Sequence, residues 1–105
     1  MAMQRIAFKM NLLKGFEEEY QRRHTAIWPE LADLLRSKSI RDYAIFLDQA
    51  TGTLFATMIV EDPALLEELP LHPVMKKWWT YMKDIMETHE DHSPVSTPLK
   101  EVFSL

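Results

Sequence analysis

The stretch "DYAIFLDQATGTLFATMIV", residues 42–60, predicts two β-strands joined by a short turn. Residues 42–47 and 53–60 are rich in aromatic and β-branched side chains, and the "DQATG" between them is typical of a turn. In both strands the two alternating sets of side chains are largely apolar, so both faces of the hairpin are apolar. Such a sheet needs a cover on each side. Because one chain of this length has enough helix for one face, we expect a second subunit's sheet to cover the other.

Patterns on either side of the hairpin complete a β-α-β-β-α-β order. Residues 5–12 alternate between two faces, which predicts a half-buried strand. Apolar residues recur at three- and four-residue steps over residues 16–38, which predicts a helix that Pro29 kinks or breaks. A second helix is predicted over residues 73–88, and residues 99–105 are a candidate final strand. This order is typical of a ferredoxin-like α+β sandwich, and we expect the whole chain to form a single domain.

The composition is that of a folded globular protein and narrows the classes of function. Of the 105 residues, 47% are hydrophobic and 27% charged, and the net charge of −4 disfavours nucleic acid as a partner. The absence of cysteine excludes a disulfide framework, a thiol nucleophile and a cysteine-based metal site. We expect a cytoplasmic protein, since the sequence has neither a secretory-signal pattern nor an apolar run long enough to span a membrane.

The first predicted helix begins with a strongly charged turn. Glu18 and Arg22 are four residues apart, as are Glu19 and Arg23. Residues at this spacing are neighbours on a helix surface. We therefore expect two ion pairs on the solvent side of the helix.

The same helix carries a histidine among apolar residues. Tyr20 and His24 are four residues apart, so they share a helical face with Phe16 and Ile27. One interpretation is a core histidine whose ring bonds a backbone carbonyl. The other is an acid–base group in an apolar pocket, because the ordinary pKa of histidine, about 6.5, suits proton transfer near neutral pH.

The second predicted helix contains two adjacent tryptophans. Trp78 and Trp79 point roughly 100° apart, so they cannot both serve one apolar stripe. One interpretation places one indole in the core and the other at a subunit contact. The other makes them the wall of a ligand site, since the apolar faces of sugar rings, for example, pack on aromatic rings. Taken alone, Tyr43 is most simply a structural tyrosine of the second strand.

The remaining histidines offer weaker signals. His72 precedes a proline and can serve as a helix cap. His89 and His92 lie three apart with acidic residues between them, which is insufficient for a metal site without convergent ligands, so we predict none. With only two glycines the chain has no phosphate-binding loop, and no serine lies in a nucleophile elbow.

Five segments taken together resemble the L-rhamnose mutarotase family. They are "EEYQRRHTAIWPEL" (18–31), "YAIFLD" (43–48), "LFA" (54–56), "HPVMKKWWTYMKDIM" (72–86) and "HSPVSTPLKEVF" (92–103). The resemblance extends from about Phe8 to the C-terminus. It implies a dimeric α+β barrel, in which two protomers pair sheet against sheet as a homodimer.

The resemblance also implies an activity, which is the interconversion of the α and β anomers of L-rhamnose without a cofactor. His24 matches the family's proton donor. The positions that match its sugar-contacting residues are Tyr20, Tyr43, Trp78 and Trp79. Two other functions on this scaffold stay open at this point: a cofactor-free monooxygenase, and a non-catalytic module that binds sugar or dimerises.

Overall fold

The computed structural model describes residues 3–105, which contain four strands, three α-helices and one 3₁₀ segment. The strands are β1 (Gln4–Asn11), β2 (Arg41–Asp48), β3 (Thr53–Val60) and β4 (Ser96–Leu99). The helices are α1 (Glu17–Thr25), α2 (Pro29–Ser37) and α3 (Pro73–Met82), and the 3₁₀ segment is Pro63–Leu71. None of the helices in residues 3–105 is long and apolar enough to cross a membrane.

The four strands form one sheet in the order β2-β3-β1-β4, and all neighbouring strands are antiparallel. β1 and β2 are therefore parallel to each other with β3 between them, and α1 and α2 make the crossover. The 3₁₀ segment and α3 make the second crossover, from β3 to β4. This is the ferredoxin-like β-α-β-β-α-β arrangement, so the predicted fold class is confirmed.

The hairpin of β2 and β3 forms where the sequence predicts it. Leu47 pairs with Leu54, and Asp48 closes the turn by accepting a hydrogen bond from the amide of Ala50 at 3.0 Å. The amide of Gly52 donates to the carbonyl of Asp48 at 2.8 Å. Gly52 has a φ of +77°, a conformation that glycine adopts at little cost.

A β-bulge interrupts the pairing at the start of β2. Arg41 pairs with Ile59 and Ala44 with Thr57, so two residues of β2, Asp42 and Tyr43, lie opposite a single residue of β3. Asp42 takes a positive φ of 49° to make this possible. Bulges are common next to functional sites because they redirect side chains. Here the bulge lets both residues line the cavity described below.

The long first helix of the sequence prediction is two helices, because Pro29 breaks it. Trp28 is extended (φ −62°, ψ 131°), the conformation that a following proline favours, and Pro29 occupies the first turn of α2. The carbonyl of Trp28 accepts from the amides of Leu31 and Ala32, both at 3.0 Å. The chain therefore turns between α1 and α2, and each helix orients its own apolar face.

Two predicted boundaries near the C-terminus are wrong. The second helix ends at Met82 and not at residue 88, because residues beyond it pair with the end of β1: Met86 bridges Leu12, and the amide of Glu87 donates to the carbonyl of Asn11. The final strand lies at Ser96–Leu99, whereas residues 100–105 belong to no strand. In both cases pairing with β1, which the local sequence does not encode, determined the outcome.

The two faces of the sheet differ sharply in burial. The helices cover the inner face, where Leu54, Ala56 and Val60 are 0–1% exposed. On the outer face Phe46 pairs with Phe55, yet these side chains remain 65% and 37% exposed. Within residues 3–105 the chain thus buries one apolar face and leaves the other accessible, as the hairpin sequence predicts.

Candidate active site

A cavity of about 1330 Å³ lies between the inner face of the sheet and the helices. Its walls come from α1, α2, α3 and the sheet, so every layer of the fold contributes to it. All five residues singled out in the sequence line this cavity: Tyr20, His24, Tyr43, Trp78 and Trp79. Largely apolar clefts of this kind, with a few polar groups, are typical of small-molecule sites.

The half-buried imidazole of His24 lies beside Tyr20 on α1, with ring centroids 4.3 Å apart. Its Nδ1 is 3.0 Å from the backbone carbonyl oxygen of Tyr20. Because a carbonyl oxygen only accepts, Nδ1 carries a proton, and the neutral ring offers Nε2 as its acceptor. Burial lowers the pKa of His24 from its ordinary value of 6.5, and the carbonyl contact offsets this in part. The ring therefore rests neutral near pH 7.

The two tryptophans of α3 have different surroundings. Trp78 is only 6% exposed and belongs to the main core cluster, where its indole meets the ring of His24 edge to face, with centroids 5.4 Å apart. Trp79 is half-buried and lies along the cavity wall. Trp78 is thus the core indole of the first interpretation, and the subunit contact of the other indole stays a prediction. Both indoles nevertheless reach the same cavity.

Both candidate tyrosines keep their phenolic protons. Burial raises the pKa of the Tyr20 hydroxyl well above its ordinary value of 10, and it raises that of Tyr43 to about 12. Tyr43 faces the open cavity, so water reaches 39% of the residue although protein atoms desolvate its hydroxyl. A phenol of raised pKa is a poor base but a good hydrogen-bond donor to a sugar oxygen.

Comparisons with known proteins identify the family to which the chain belongs. The family model described as L-rhamnose mutarotase matches residues 5–105. The chain belongs to the L-rhamnose mutarotase family. One relative so named, from Sinorhizobium fredii, is 52% identical over 98% of this chain and 99% of its own length. Another, from Brucella anthropi, is 52% identical over 100% of this chain and 99% of its own length.

A solved structure of the family superimposes on this fold. The crystal structure of an L-rhamnose mutarotase from Formosa agariphila has a TM-score of 0.90 and 45% identity. The match covers 97% of this chain and 98% of that one. The resemblance to L-rhamnose mutarotases stated from the sequence is therefore confirmed along the whole matched length.

In this member of the L-rhamnose mutarotase family, the charged turn of α1 is arranged differently from the sequence prediction. Arg22 pairs with Glu19 and not with Glu18. Arg23 is bonded to Glu19 as predicted, but it is buried, with 8% exposure, and not on the solvent side. It reaches across to the turn that follows α3, where it bonds Asp84. The i,i+4 spacing predicts the pair on α1, and no local signal reveals the partner 61 residues away.

The other three histidines have surroundings that differ from those of His24. His72 caps α3 by accepting a hydrogen bond from the amide of Val74 at 3.4 Å. His92 is bonded to the hydroxyl of Thr80 at 3.2 Å, and His89 lies at the rim of the cavity. Within residues 3–105 no group of three or more His, Cys, Asp or Glu side chains is placed to hold a metal ion.

Proposed function

We propose that the protein interconverts the α and β anomers of L-rhamnose. The observation that carries the proposal is the match, over essentially the full length of both chains, to relatives named L-rhamnose mutarotase. The site supports it, because a histidine, two phenols and two indoles line one cavity. The rival functions on this scaffold, a monooxygenase and a non-catalytic sugar-binding or dimerisation module, have no comparable support.

His24 is the proton donor of the proposed reaction. Its neutral ring first takes the proton of the anomeric hydroxyl O1 on Nε2. The imidazolium so formed donates that proton to the ring oxygen O5 as the C1–O5 bond breaks and the C1–O1 bond becomes a carbonyl. The proton lost by O1 is the proton gained by O5, so the step balances without a second base or a cofactor.

Ring closure runs through the same groups in reverse. After the aldehyde rotates, Nε2 takes the O5 proton as O5 attacks C1 and then returns it to O1. Because substrate and product differ only at C1, the same histidine serves both directions. Its position in an apolar pocket is what keeps the ring neutral at rest and ready to accept the first proton.

The other four residues bind the sugar in this proposal. The protonated hydroxyls of Tyr20 and Tyr43 donate hydrogen bonds to sugar oxygens, which orients C1 toward His24. The indoles of Trp78 and Trp79 contact the apolar face and the methyl group of the deoxy sugar. Together they make a site that binds mainly by shape and apolar contact, with few polar groups.

We also propose that the protein is a cytoplasmic homodimer. The Phe46 and Phe55 face of the sheet is the surface that a second copy would cover, sheet against sheet. The cysteine-free composition suits a reducing compartment. Neither nucleic acid nor a membrane is a proposed partner, in keeping with the net charge of −4.

Magnetisation exchange between the two anomeric proton signals of L-rhamnose tests the activity. The exchange rate is measured by NMR without protein, with the wild type, with His24→Ala and with His92→Ala. We expect acceleration by the wild type and His92→Ala, whose histidine lies outside the cavity walls. His24→Ala should remain folded by circular dichroism and lose most of the acceleration. A wild type that leaves the exchange rate unchanged contradicts the proposed function.

A further inference from the structure

Arg23 is the one charged side chain in residues 3–105 that is buried. Its Nε is 2.7 Å from the carboxylate of Glu19 on α1. Its Nη1 lies 2.7 Å from the backbone carbonyl of Tyr81 and 2.9 Å from Asp84 Oδ1, and Nη2 is 3.2 Å from the other oxygen of Asp84. The guanidinium thus links α1, through Glu19, to the end of α3, through Tyr81 and Asp84.

The contact with Tyr81 falls where α3 ends. The last carbonyls of a helix have no intrahelical partner, and arginine side chains can satisfy them. In a continued helix the amide of Ile85 would donate to the Tyr81 carbonyl, but it donates to the carbonyl of Met82, at 3.1 Å. Arg23 donates to the Tyr81 carbonyl in its place. Arg23 therefore caps α3 from α1 and sets the distance between the two helices at this point.

A chain of aromatic contacts leads from this cap back to the proposed acid–base group. The Arg23 guanidinium lies 4.4 Å from the centre of the Tyr81 ring, and that ring stacks on Trp28 at 5.5 Å. Trp28 meets Trp78 edge to face at 5.1 Å, and Trp78 meets His24 in the same way at 5.4 Å. Because Arg23 and His24 are adjacent on α1, these contacts form a closed loop. We call its four aromatic side chains, Tyr81, Trp28, Trp78 and His24, the aromatic circuit.

We propose that Arg23 is a positioning residue for the reaction: through its cap on α3 and the aromatic circuit, it fixes the orientation of His24 against Trp78. The proposal rests on the proposed function. Arg23 does not line the cavity, so it acts through other residues and does not touch the sugar.

The chemistry of the contacts requires arginine specifically. A guanidinium is planar and can bind a carboxylate through two of its nitrogens at once. Its remaining N–H groups can bond further acceptors, and its face can lie on an aromatic ring. Lysine keeps the charge but offers one compact ammonium group. It cannot reach Glu19, the Tyr81 carbonyl and both oxygens of Asp84 together. The Arg23→Lys variant therefore loosens the contact between α1 and α3 without removing the charge.

Two variants and one control test this proposal. Arg23→Lys and Asp84→Asn each weaken the cap, and Asp84 is an exposed side chain whose replacement should leave the fold intact. The control is Arg22→Gln, which removes a positive charge from the preceding position, where Arg22 pairs with the same Glu19. We expect both cap variants to lower kcat about tenfold with KM within about twofold of wild type, and the control to leave both unchanged.

A second readout does not depend on activity. The ring proton shifts of His24, assigned by their loss in His24→Gln, respond to the distance and angle of the Trp78 indole. We expect them to move in both cap variants and to stay in place in Arg22→Gln. If the wild type shows no mutarotation, the proposed function fails, while these shifts still test the positioning role.

Three results would overturn the positioning role. One is a folded Arg23→Lys with wild-type kcat and unmoved His24 shifts, which would make Arg23 a stabilising residue only. Another is a loss of kcat in Arg22→Gln equal to that in Arg23→Lys, which would trace the effect to the pairing of Glu19 and not to the cap on α3. If Arg23→Lys does not fold, Asp84→Asn decides, and unchanged kcat and shifts in that variant contradict the proposal.

Discussion

The imidazole of His24 and the indole of Trp78 meet edge to face, with their planes at 87°. His24 belongs to α1 and Trp78 to α3, so the relation of two helices, and not a single element, orients the proposed acid–base group. The imidazole ring is also held by the carbonyl of Tyr20 through Nδ1. A histidine fixed by these two contacts has one nitrogen left for chemistry, and this explains its value on an apolar helical face.

The first prediction concerns pH. Burial favours the neutral form of His24 and lowers its pKa below 6.5, so the neutral ring is populated above that lowered value and lost as the pH falls through it. Because the proposed first step needs neutral His24, kcat/KM should rise with pH through the lowered pKa and then reach a plateau.

The measurement is the anomeric exchange rate between about pH 4.5 and about pH 8, corrected at each pH for exchange without protein. A kcat/KM that falls as the pH rises through this range would show that the imidazolium is the resting reactive form. That outcome would replace the proposed order of proton transfers while leaving His24 as the donor.

The second prediction separates the roles of the two tryptophans. Trp78 is buried in the core, so Trp78→Ala should lower the free energy of unfolding by about 3–5 kcal/mol. Trp79 is half-buried at the cavity wall, so Trp79→Ala should cost about 1 kcal/mol or less and raise KM instead. Urea unfolding and saturation kinetics measure the two quantities. Equal destabilisation by both variants would contradict the division.

Much of the fold follows from local sequence patterns. The alternation of β1, the two-faced strands β2 and β3, and the break at Pro29 are all confirmed, because each depends on residues close together in the chain. The end of α3 and the position of β4 differ from the prediction. Residues 85–87 pair with residues 11–13 at the end of β1, and residues 96–99 pair with β1 itself, far away in sequence. Local propensity carries no information about such partners.

The candidate site, like the fold, is only partly predictable from local sequence patterns. The spacing of Tyr20 and His24 predicts their shared face, and the structure brings their rings to 4.3 Å. Tyr43 and the two tryptophans lie on separate elements, so only the family resemblance predicts that they share a site, and the structure places all three along one cavity. The helical spacing predicts Arg23 on the solvent side, whereas the structure buries it, because its partner Asp84 becomes a neighbour only when α1 packs against the end of α3. The roles of the five site residues in catalysis and binding remain predictions.

The third prediction concerns assembly. Phe46→Glu places a charge on the outer face of the sheet, and we expect it to convert the proposed homodimer into a folded monomer. Leu71→Glu is the matched control, because Leu71 is 74% exposed in the 3₁₀ segment, away from that face. Light scattering at micromolar concentration gives the masses. A monomeric wild type, or dimers in both variants, would contradict the assignment of this face.

The fourth prediction compares two glycines with positive φ. A Cβ on Gly52 would lie 3.0 Å from the carbonyl oxygen of Leu12, whereas one on Gly15 would meet nothing within 4 Å. Gly15→Ala should therefore cost only the backbone strain, about 1–2 kcal/mol, and Gly52→Ala should cost more. Urea midpoints with unchanged slopes measure the difference. Equal losses would mean that the Leu12 carbonyl moves aside without cost.

The position of β1 inside the sheet sets the order in which the chain can complete its fold. The β2–β3 hairpin can close once Val60 has been synthesised, whereas Ala7 of β1 must wait for Leu99. At about 5–20 residues per second on the ribosome, one edge of β1 stays unpaired for seconds, able to bond any extended strand it meets. We therefore expect the docking of β4 to be a late folding step, and the preceding interval to be when nascent chains are most prone to aggregate.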